Sequence, residues 1–500
     1  MRSPRQRRLI SALFFAVLLA LACLGTARGQ GLRFVVSYPA ATFAGPFNGL
    51  VVVSLSRSST QPRFGPNWFH PEPTYSQTFR KIRPGDEMVL DEHAVGFPGR
   101  LSELPPGEYT VQAVLDRNLG GRMIGASPGN LYSEAIHVTL DPKEDKAVRL
   151  VCDQVVTEPK FQDTDRAKEI RVRSTLLSNF YGRPTYLNAA VVLPEEWARE
   201  PDRKFPIVYS VPGFGGRHLG LSGASGAFGT NRAGQPFLFA VLDPDCPLGH
   251  SVFADSENNG PWGKALTTEL IPELEKRFRA IGEPEARFVT GHSSGGWSSL
   301  WLQVAYPDFF GGCWSTSPDP VDFRDFQQID LYAPNTNMFT DSDGKPRPLA
   351  RRGTEPVLFY KAFSDMERPI RGEQLGSFEA VFSPRDKDGA PRKLWDRDTG
   401  AIDPVTAQAW QKYDIDLTLR THWRELEPKL RGKIHVYMGE TDTFYLDGAV
   451  RLLKKDMQAL NADAVIEMVP GDHGSMMTPA LRQRIDAEMA AQFHAHYPKP

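Results

Sequence analysis

The chain has 500 residues, of which 41% are hydrophobic and 24% are charged. This is the composition of a globular protein, and the length calls for more than one domain. The 58 basic and 60 acidic residues leave a net charge of −2. Positive and negative charges are therefore nearly balanced, and the absence of a strong positive excess argues against nucleic acid as a partner.

The N-terminus has the pattern of an export signal. Four arginines precede an apolar run from Leu9 to Leu24, and small residues follow at Gly25-Thr26-Ala27 and Ala27-Arg28-Gly29. This order is that of a cleaved signal peptide, to which we assign residues 1–29. An uncleaved membrane anchor and lipidation at Cys23 are the alternatives. No later run is apolar for long enough to span a bilayer, so we expect a periplasmic or extracellular protein without stable membrane insertion.

Residues 30–156 predict an all-β domain. Short β-prone runs are separated by Gly, Pro, Asn and Asp, at residues 32–38, 50–55, 109–115 and 135–140. Residues 104–111 resemble the turn and strand start of an immunoglobulin-like sandwich. The domain has no cluster of His, Cys or paired carboxylates, so we expect a packing or positioning module. Carbohydrate binding through Trp68, Phe69 and His70 is the alternative.

After a polar linker at 157–166, strands and helices alternate from residue 167 to residue 500. This alternation predicts an α/β domain with a mostly parallel sheet covered on both faces. The predicted strands are 170–174, 187–193, 205–211, 237–242, 287–289, 312–315, 433–438 and 465–469. The predicted helices are 266–279, 297–304 and 479–493.

An insertion at about 319–431 interrupts this alternation. It is rich in Pro, Gly and Asp, but it also contains several aromatics: Phe363, Phe378, Trp395, Trp410, Tyr413 and Trp423. A segment that long is usually functional or disordered, and the aromatics favour an ordered insertion that covers or flanks the active site. Its Asp-rich runs at 341–344, 386–389 and 396–398 lack the register of a calcium loop, so we interpret them as surface turns and predict no metal.

A short strand runs into Gly291-His292-Ser293-Ser294-Gly295 and then into a helical pattern. This Gly-x-Ser-x-Gly turn is the nucleophile-elbow pattern. A serine hydroxyl is a weak nucleophile, so it must stand clear of the sheet where a base can reach it. A tight turn does this by packing backbones so closely that side chains at Gly291 and Gly295 would clash. We therefore predict that Ser293 is a nucleophile.

The fold that carries such an elbow has its acid and then its histidine later in the chain. Asp442 and His473 follow the last two predicted strands, past strand ends where catalytic groups gather. We predict His473 as the general base and Asp442 as the acid that orients it. Asp319 is the main rival, because some hydrolases carry the acid after the preceding strand. Glu440 and Asp447 are further rivals.

An oxyanion needs two backbone donors aimed at the developing charge. One is the N–H of Ser294, directly after the nucleophile. The other should come from the Gly-rich loop 212–216, where main chain can approach the substrate closely. We predict the Phe214 N–H as this donor, with Gly215 as the next choice.

Three other histidines lie near these motifs. His292 is inside the elbow but points the wrong way to be the base. His218 and His250 lie in loops that could line the pocket, and we expect substrate or structural contacts from them.

The cysteines after the signal are Cys152, Cys246 and Cys313, whose spacing matches no zinc pattern. An oxidising compartment would allow a Cys246–Cys313 disulfide, and three buried free thiols are the alternative.

At these motifs the chain resembles the esterase-D-like branch of the α/β-hydrolases. That branch includes feruloyl and acetylxylan esterases, mycolyltransferases, S-formylglutathione hydrolases and enterochelin esterases, and members with an N-terminal β domain are known. The matching residues are Pro212–Gly216, Gly260–Phe278, Gly291–Gly296, Asp442 and His473. The resemblance covers roughly 165–318 and 430–495 and implies serine ester hydrolysis without metal or organic cofactor. Pro212 and the long insertion depart from the family pattern, so substrate contacts are not carried over.

The sequence thus predicts a secreted serine carboxylic ester hydrolase with an acyl-enzyme intermediate. The expected substrates are small-molecule or polysaccharide esters, with acetyl or feruloyl groups on polysaccharide as the leading class. Siderophore-ester hydrolysis, acyl transfer and peptide hydrolysis are rival activities. A catalytically silent binding module is the alternative from outside the enzymes.

Overall fold

The computed structural model describes residues 31–498, which form two compact units. The β unit comprises the described residues up to Pro62 together with Glu72–Leu115 and Leu131–Gln154. The α/β unit comprises Arg63–Pro71, Asp116–Asn130 and the chain from Val155 onward. The predicted signal at 1–29 and the lipidation site at Cys23 lie outside the described residues.

The β unit is built from two sheets. The smaller has the order Met88–Leu90, Arg33–Ser37, Ala147–Val151. The larger has the order Gln154–Val155, Leu131–Tyr132, Gly107–Asp116, Phe47–Ser56, Thr74–Ile82, Val95–Phe97, and Ile136–Leu140 also pairs with Gly107–Asp116. Phe34 of the smaller sheet and Val51 and Val111 of the larger share one buried core. This confirms the predicted sandwich-like β architecture.

The α/β unit has an eight-stranded sheet. Its order is Ala167–Ser174, Thr185–Val192, Leu238–Leu242, Ile207–Val211, Arg287–His292, Gly312–Thr316, Ile434–Gly439, Val465–Val469. Thr185–Val192 pairs antiparallel with both of its neighbours, and the strands from Leu238–Leu242 onward pair in parallel. The mostly parallel sheet predicted from the sequence is therefore confirmed.

The helices of the α/β unit are Thr175–Tyr181, Glu196–Arg199, Trp262–Ala265, Ile271–Phe278, Ser294–Ala305, Tyr360–Glu367, Gln374–Phe382, Pro404–Trp410, Ile415–Leu430, Asp447–Ala459 and Pro479–His496. Successive side chains of a strand point to opposite faces of the sheet. Accordingly, Val208 packs in the core that the C-terminal helix covers. Tyr209 instead donates a hydrogen bond to Glu275 Oε1 of Ile271–Phe278, with 3.1 Å between the oxygens. Helices thus cover both faces.

The single helix predicted over 266–279 is corrected by the structure. A π-helical turn, Leu266–Leu270, lies between the helices Trp262–Ala265 and Ile271–Phe278. Pro272 lies in the first turn of the second helix and has no N–H to donate to the carbonyl four residues earlier. The spacing of apolar residues does not reveal this missing donor. Single π turns are found inside α-helices, and here one directly precedes the helix that contains the proline.

The insertion carries a packed aromatic core of its own. Its strands Pro348–Arg352 and Glu355–Phe359 form a hairpin. Its buried ring cluster contains Phe323, Phe326, Phe378, Phe382 and Trp410. These contacts explain why the segment is ordered, as the sequence predicts.

Asp341 Oδ1 accepts hydrogen bonds from the backbone of Asp343 and Lys345, which makes the Asp-rich run at 341–344 a self-contained turn.

Three short hairpins complete the unit: Asn231–Arg232 with Gln235–Pro236, Asp245–Cys246 with Gly249–His250, and Asp255–Ser256 with Gly260–Pro261.

The disulfide considered between Cys246 and Cys313 is wrong, because both are free and buried. Cys246 lies in a hairpin, whereas Cys313 lies inside a strand that pairs on both sides. Cys152 is also a buried free thiol. Burial raises the pKa of Cys313 to about 12, so this thiol stays protonated at neutral pH.

None of the described helices is both long enough and apolar enough to cross a bilayer.

Candidate active site

Ser293 lies at a sharp turn between a strand and a helix. The strand Arg287–His292 ends directly before it, and the helix Ser294–Ala305 begins directly after it. Its backbone has φ 60° and ψ −126°, a strained conformation that non-glycine residues rarely adopt. The turn is held by the Ser293 N–H, which donates to the Thr316 carbonyl at 3.1 Å. The strain exposes the Ser293 side chain at the end of the sheet.

The glycines around Ser293 are required by close backbone contacts. A Cβ on Gly291 would lie 2.1 Å from the Gly295 carbonyl oxygen. A Cβ on Gly295 would lie 1.9 Å from the Val211 carbonyl oxygen, and one on Gly296 would lie 2.6 Å from that of Thr316. These distances are far below any van der Waals contact. The predicted steric reason for the two glycines of the motif is therefore confirmed.

His473 and Asp442 form a direct pair. The strands Ile434–Gly439 and Val465–Val469 lie side by side, so the loops that follow them meet at one edge of the sheet. His473 Nδ1 lies 2.7 Å from Asp442 Oδ2. Asp442 is fully buried, and its Oδ1 accepts a hydrogen bond from the Phe444 N–H at 2.8 Å. This second bond fixes the carboxylate plane toward the imidazole.

Asp319, the rival acid, makes different contacts. Its N–H donates to the Ser293 carbonyl at 3.2 Å, and its Oδ2 accepts from Ser294 Oγ at 2.5 Å. Gln374 Nε2 lies 3.3 Å from the same oxygen. Burial raises the pKa of Asp319 to about 6, although the Ser294 hydroxyl lowers it. Asp442, rather than Asp319, is the acid in contact with His473.

The loop after the strand Ile207–Val211 approaches Ser293 closely. A Cβ on Gly213 would lie 3.4 Å from the Cβ of Ser293. The loop is anchored by His250, whose Nδ1 accepts from the Val252 N–H, which leaves Nε2–H to donate to the Pro212 carbonyl at 2.9 Å. Burial lowers the pKa of His250 to about 4, so it is a neutral structural donor at neutral pH.

His292 and His218 serve other contacts. His292 Nδ1 lies 3.1 Å from Thr316 Oγ1, and burial lowers the pKa of His292 to about 4. His218 Nε2 lies 3.0 Å from Glu169 Oε1, and its Nδ1 lies 2.8 Å from Asp243 Oδ2. His218 lines a separate polar cleft of about 690 Å³ rather than the cavity beside Ser293.

A cavity of about 280 Å³ opens beside Ser293 and His473. Most of its other lining side chains are apolar: Trp68, Phe214, Leu349, Phe363, Leu375, Phe378, Phe444 and Leu446. Asp319, Gln327 and Gln374 supply the polar lining side chains. Half of the lining residues come from the insertion at 319–431. The site therefore combines a polar edge at Ser293 and His473, the candidate reactive edge, with an apolar chamber.

Sequence reasoning did not identify Trp68, which lines this cavity, or Arg122, whose guanidinium lies over the Phe214 ring. Trp68 and Arg122 come from the segments Arg63–Pro71 and Asp116–Asn130, which the sequence groups with the β domain but which belong to the α/β unit. From the sequence, Trp68 is expected to be a core or loop residue of the β domain, with carbohydrate binding as the alternative. A lone Trp in a Pro- and Asn-rich loop gives no signal of the partner against which it packs.

A group of three carboxylates, Asp322, Asp416 and Asp456, has the spacing of metal ligands in the described chain. Arg324 already reaches all of them, with its Nη2 2.9 Å from Asp416 Oδ2. Arg420 Nε adds a second cation at 2.7 Å from the same oxygen. Two arginines thus pair with the three carboxylates, which offsets most of the charge of this largely buried cluster.

A mostly parallel sheet with a strained serine turn, and with an acid and a histidine after successive strands, defines the α/β-hydrolase class. Residues 183–477 match the Esterase family model, described as "Putative esterase". This match spans more than half of the chain, and the chain belongs to that family. It is a carboxylic ester hydrolase.

Solved structures give a more distant likeness. A ferulic acid esterase is 14% identical with a TM-score of 0.40, over 67% of this chain and all of that one. An S-formylglutathione hydrolase from Agrobacterium tumefaciens is 13% identical with a TM-score of 0.37, over 67% of this chain and 97% of that one. A ferulic acid esterase from Anaeromyces mucronatus is 15% identical with a TM-score of 0.35, over 68% and 95%. A search among curated proteins found no match.

Proposed function

We propose that the protein is an exported serine esterase that works through Ser293, His473 and Asp442. The observation that carries this proposal is the His473–Asp442 pair, 2.7 Å apart, whose histidine lines the same cavity as the strained Ser293. An imidazole oriented by a carboxylate is the base that a serine hydroxyl needs.

The reaction has two halves. In the first, Ser293 Oγ attacks the ester carbonyl while His473 Nε2 takes its proton, and the alcohol then leaves with that proton. In the second, water is deprotonated by His473 and cleaves the acyl-enzyme, which restores Ser293. Asp442 accepts from His473 Nδ1–H, keeps the correct tautomer and stabilises the imidazolium.

The tetrahedral intermediate is stabilised by the backbone N–H groups of Ser294 and Phe214. Ser294 begins the helix Ser294–Ala305, so its N–H is free of an intrahelical acceptor and the helix dipole favours negative charge there. Phe214 follows Gly213, which lies against Ser293. Losing one such donor typically costs about 10²–10³ in rate.

The acyl group is an aromatic one of the feruloyl type. An acetyl group is far smaller than a cavity of about 280 Å³ and would leave most of its apolar wall unoccupied. A flat phenolic acyl group can pack against the rings of Trp68, Phe363 and Phe378 and gain both hydrophobic burial and offset stacking. The predicted signal at 1–29 supports export, so the alcohol part is proposed to be a polysaccharide met outside the cytoplasm.

The test is product release from a panel of esters, with the Ser293→Ala variant as the blank. The panel contains methyl ferulate, acetylated xylan, nitrophenyl acetate and a catecholate siderophore ester. Preferential release of ferulate is the expected result. Preferential release of acetate from xylan, or preferential cleavage of the siderophore ester, would show that the preferred acyl group is not of the feruloyl type. A serine that no fluorophosphonate probe labels would overturn the catalytic proposal in favour of a binding module.

A further inference from the structure

Glu373 joins two remote segments to the cavity. Its Oε2 accepts from Trp68 Nε1 at 2.8 Å, and its Oε1 lies 3.1 Å from Arg122 Nη1. The side chains of Arg122 and Glu373 are only 12% and 9% exposed, so this ion pair is largely withdrawn from water. Glu373 directly precedes the helix Gln374–Phe382, which supplies part of the cavity lining. One buried carboxylate thus fixes both side chains to a wall of the site.

Phe214 is held between these two side chains. The Arg122 Cζ lies 4.4 Å from the centre of the Phe214 ring, and the Trp68 and Phe214 ring centres are 5.6 Å apart. A guanidinium over a ring and two tilted rings are both attractive arrangements. The Phe214 side chain therefore has little freedom to carry its backbone away from Ser293.

The neighbouring glycine shows how closely Arg122 approaches this loop. Gly215 has a φ of +82°, and a Cβ there would lie 2.8 Å from Arg122 Nη2. The Arg122 N–H also donates to Asp245 Oδ1 at 3.2 Å, so its backbone is anchored as well. The guanidinium fills the space that a glycine leaves open and limits the movement of the loop.

Trp68 has a second contact, with the cavity itself. Its ring meets Phe363 nearly edge-on, with ring centres 5.1 Å apart and an interplanar angle of 81°. It lines the cavity together with Ser293 and His473. Removing the indole would therefore widen the chamber without touching the reacting atoms.

We infer that Arg122 is a positioning residue for the oxyanion loop and that Trp68 is a specificity-determining wall of the acyl cavity. Both reach the site from segments that the chain inserts among the strands of the β unit. This inference rests on the proposed function, because that proposal makes the Phe214 N–H an oxyanion donor. Lysine cannot replace Arg122, since only a planar guanidinium can stack on Phe214 while bonding to Glu373.

The test for Arg122 compares Arg122→Met and Arg122→Lys with Arg117→Lys, an arginine of the same segment. The substrate is nitrophenyl acetate, which does not require the acyl chamber. For both Arg122 variants kcat should fall about ten- to hundred-fold, short of the loss of a whole donor, while KM changes little. Affinity for a trifluoromethyl ketone, which forms an oxyanion on Ser293, should fall by the same factor. An unchanged kcat, or a loss confined to KM, would overturn the positioning role.

The test for Trp68 compares Trp68→Ala with Phe69→Ala, an adjacent aromatic that is 44% exposed. For Trp68→Ala, kcat/KM on methyl ferulate should fall at least about tenfold more than kcat/KM on nitrophenyl acetate, which loses only the support that Trp68 gives to Phe214. Phe69→Ala should leave both unchanged. Equal losses on both esters, or no loss on either, would show that Trp68 does not set specificity.

The proposed function and this inference can fail separately. Wild type that hydrolyses nitrophenyl acetate but not methyl ferulate would remove the aromatic acyl class, and the Trp68 comparison would then use the longest nitrophenyl ester that is hydrolysed. If no ester is hydrolysed, the rate of fluorophosphonate labelling of Ser293 becomes the readout. That rate also depends on the oxyanion donors, so Arg122→Met should slow it, and an unchanged labelling rate would overturn the inference.

Discussion

The reactive edge of the cavity and its apolar wall are built in different ways. Ser293 and His473 each lie within a few residues of a strand end, in short turns whose backbone is fixed by the sheet. The wall is formed by side chains such as Trp68, Phe214 and Phe378, which come from segments far apart in the chain. The reactive edge thus depends on backbone geometry, whereas the wall depends on packing.

This difference predicts that the two sides control different kinetic quantities. A group that acts only in the transition state affects kcat, whereas a group that binds one acyl chain better than another affects discrimination between substrates. Substitutions at the reactive edge should therefore impair the hydrolysis of every ester. Substitutions at the wall should impair only the esters whose acyl group reaches it.

The largest expected effect is at Ser293. Ser293→Ala should lower kcat by about four to six orders of magnitude on every ester, because covalent catalysis is lost. The free energy of unfolding should change little, since the change removes one partly exposed hydroxyl. Steady-state kinetics and thermal unfolding on the same preparation check this, and turnover above a thousandth of wild type would refute the nucleophile.

The next effect distinguishes the two buried acids beside the site. Asp442→Asn should lower kcat by about 10⁴, because an amide at 2.7 Å from His473 Nδ1 favours the wrong tautomer. Asp319→Asn should cost far less, since Asp319 bonds to Ser294 rather than to the histidine. Measuring kcat for the matched pair decides the matter, and a larger loss at Asp319 would transfer the role to it.

A smaller and selective effect is expected at the wall. Phe378→Leu keeps an apolar side chain of similar bulk but loses the ring that stacks on Phe382 at 5.9 Å. It should lower kcat/KM for methyl ferulate about tenfold and leave nitrophenyl acetate within about twofold. Phe359→Ala, a 36% exposed aromatic of the same insertion, is the control. Equal losses on both esters would mean that the wall is needed for catalysis as well.

The last expected effect is on stability rather than on rate. The pKa of Asp319 is about 6 in the folded protein, above the ordinary 3.8, so the folded state binds its proton more tightly than the unfolded state. Its contribution therefore favours the folded protein at low pH and is lost as pH rises from about 4 to about 6. Asp319→Asn should flatten the dependence of unfolding free energy on pH in that window, by about 1.4 kcal/mol per pH unit at most. Denaturant unfolding at several pH values measures this, and identical slopes in both proteins would contradict it.

Several elements were predictable because their signals are local. The strand Val465–Val469 has the predicted bounds, and the strands Gly312–Thr316 and Ile434–Gly439 differ from prediction by one residue at each affected end. Apolar runs between turn residues report these directly. The π turn at Leu266–Leu270 was missed because a missing backbone donor at Pro272 leaves the apolar periodicity unchanged.

The Cys246–Cys313 disulfide was wrongly considered for a different reason. Whether two cysteines can bond depends on the separation and direction of their Cβ atoms, which sequence distance does not contain. Cys313 lies within a strand that pairs on both sides, whereas Cys246 lies in a separate hairpin. The packing partners of Trp68 and Arg122 could not be predicted for the same reason. Each residue lies in a loop whose own sequence gives no indication of a partner more than a hundred positions away.

By itself, the sequence determined the mostly parallel sheet, the sandwich that precedes it and the turns that carry Ser293, Asp442 and His473. These follow from apolar periodicity and from glycines that no other residue can replace, and both are properties of short segments. The tertiary structure alone decided that Asp442 rather than Asp319 contacts the histidine, and which rings surround the cavity. Such contacts join residues distant in the chain and are selected by packing of the whole unit, so no local pattern encodes them.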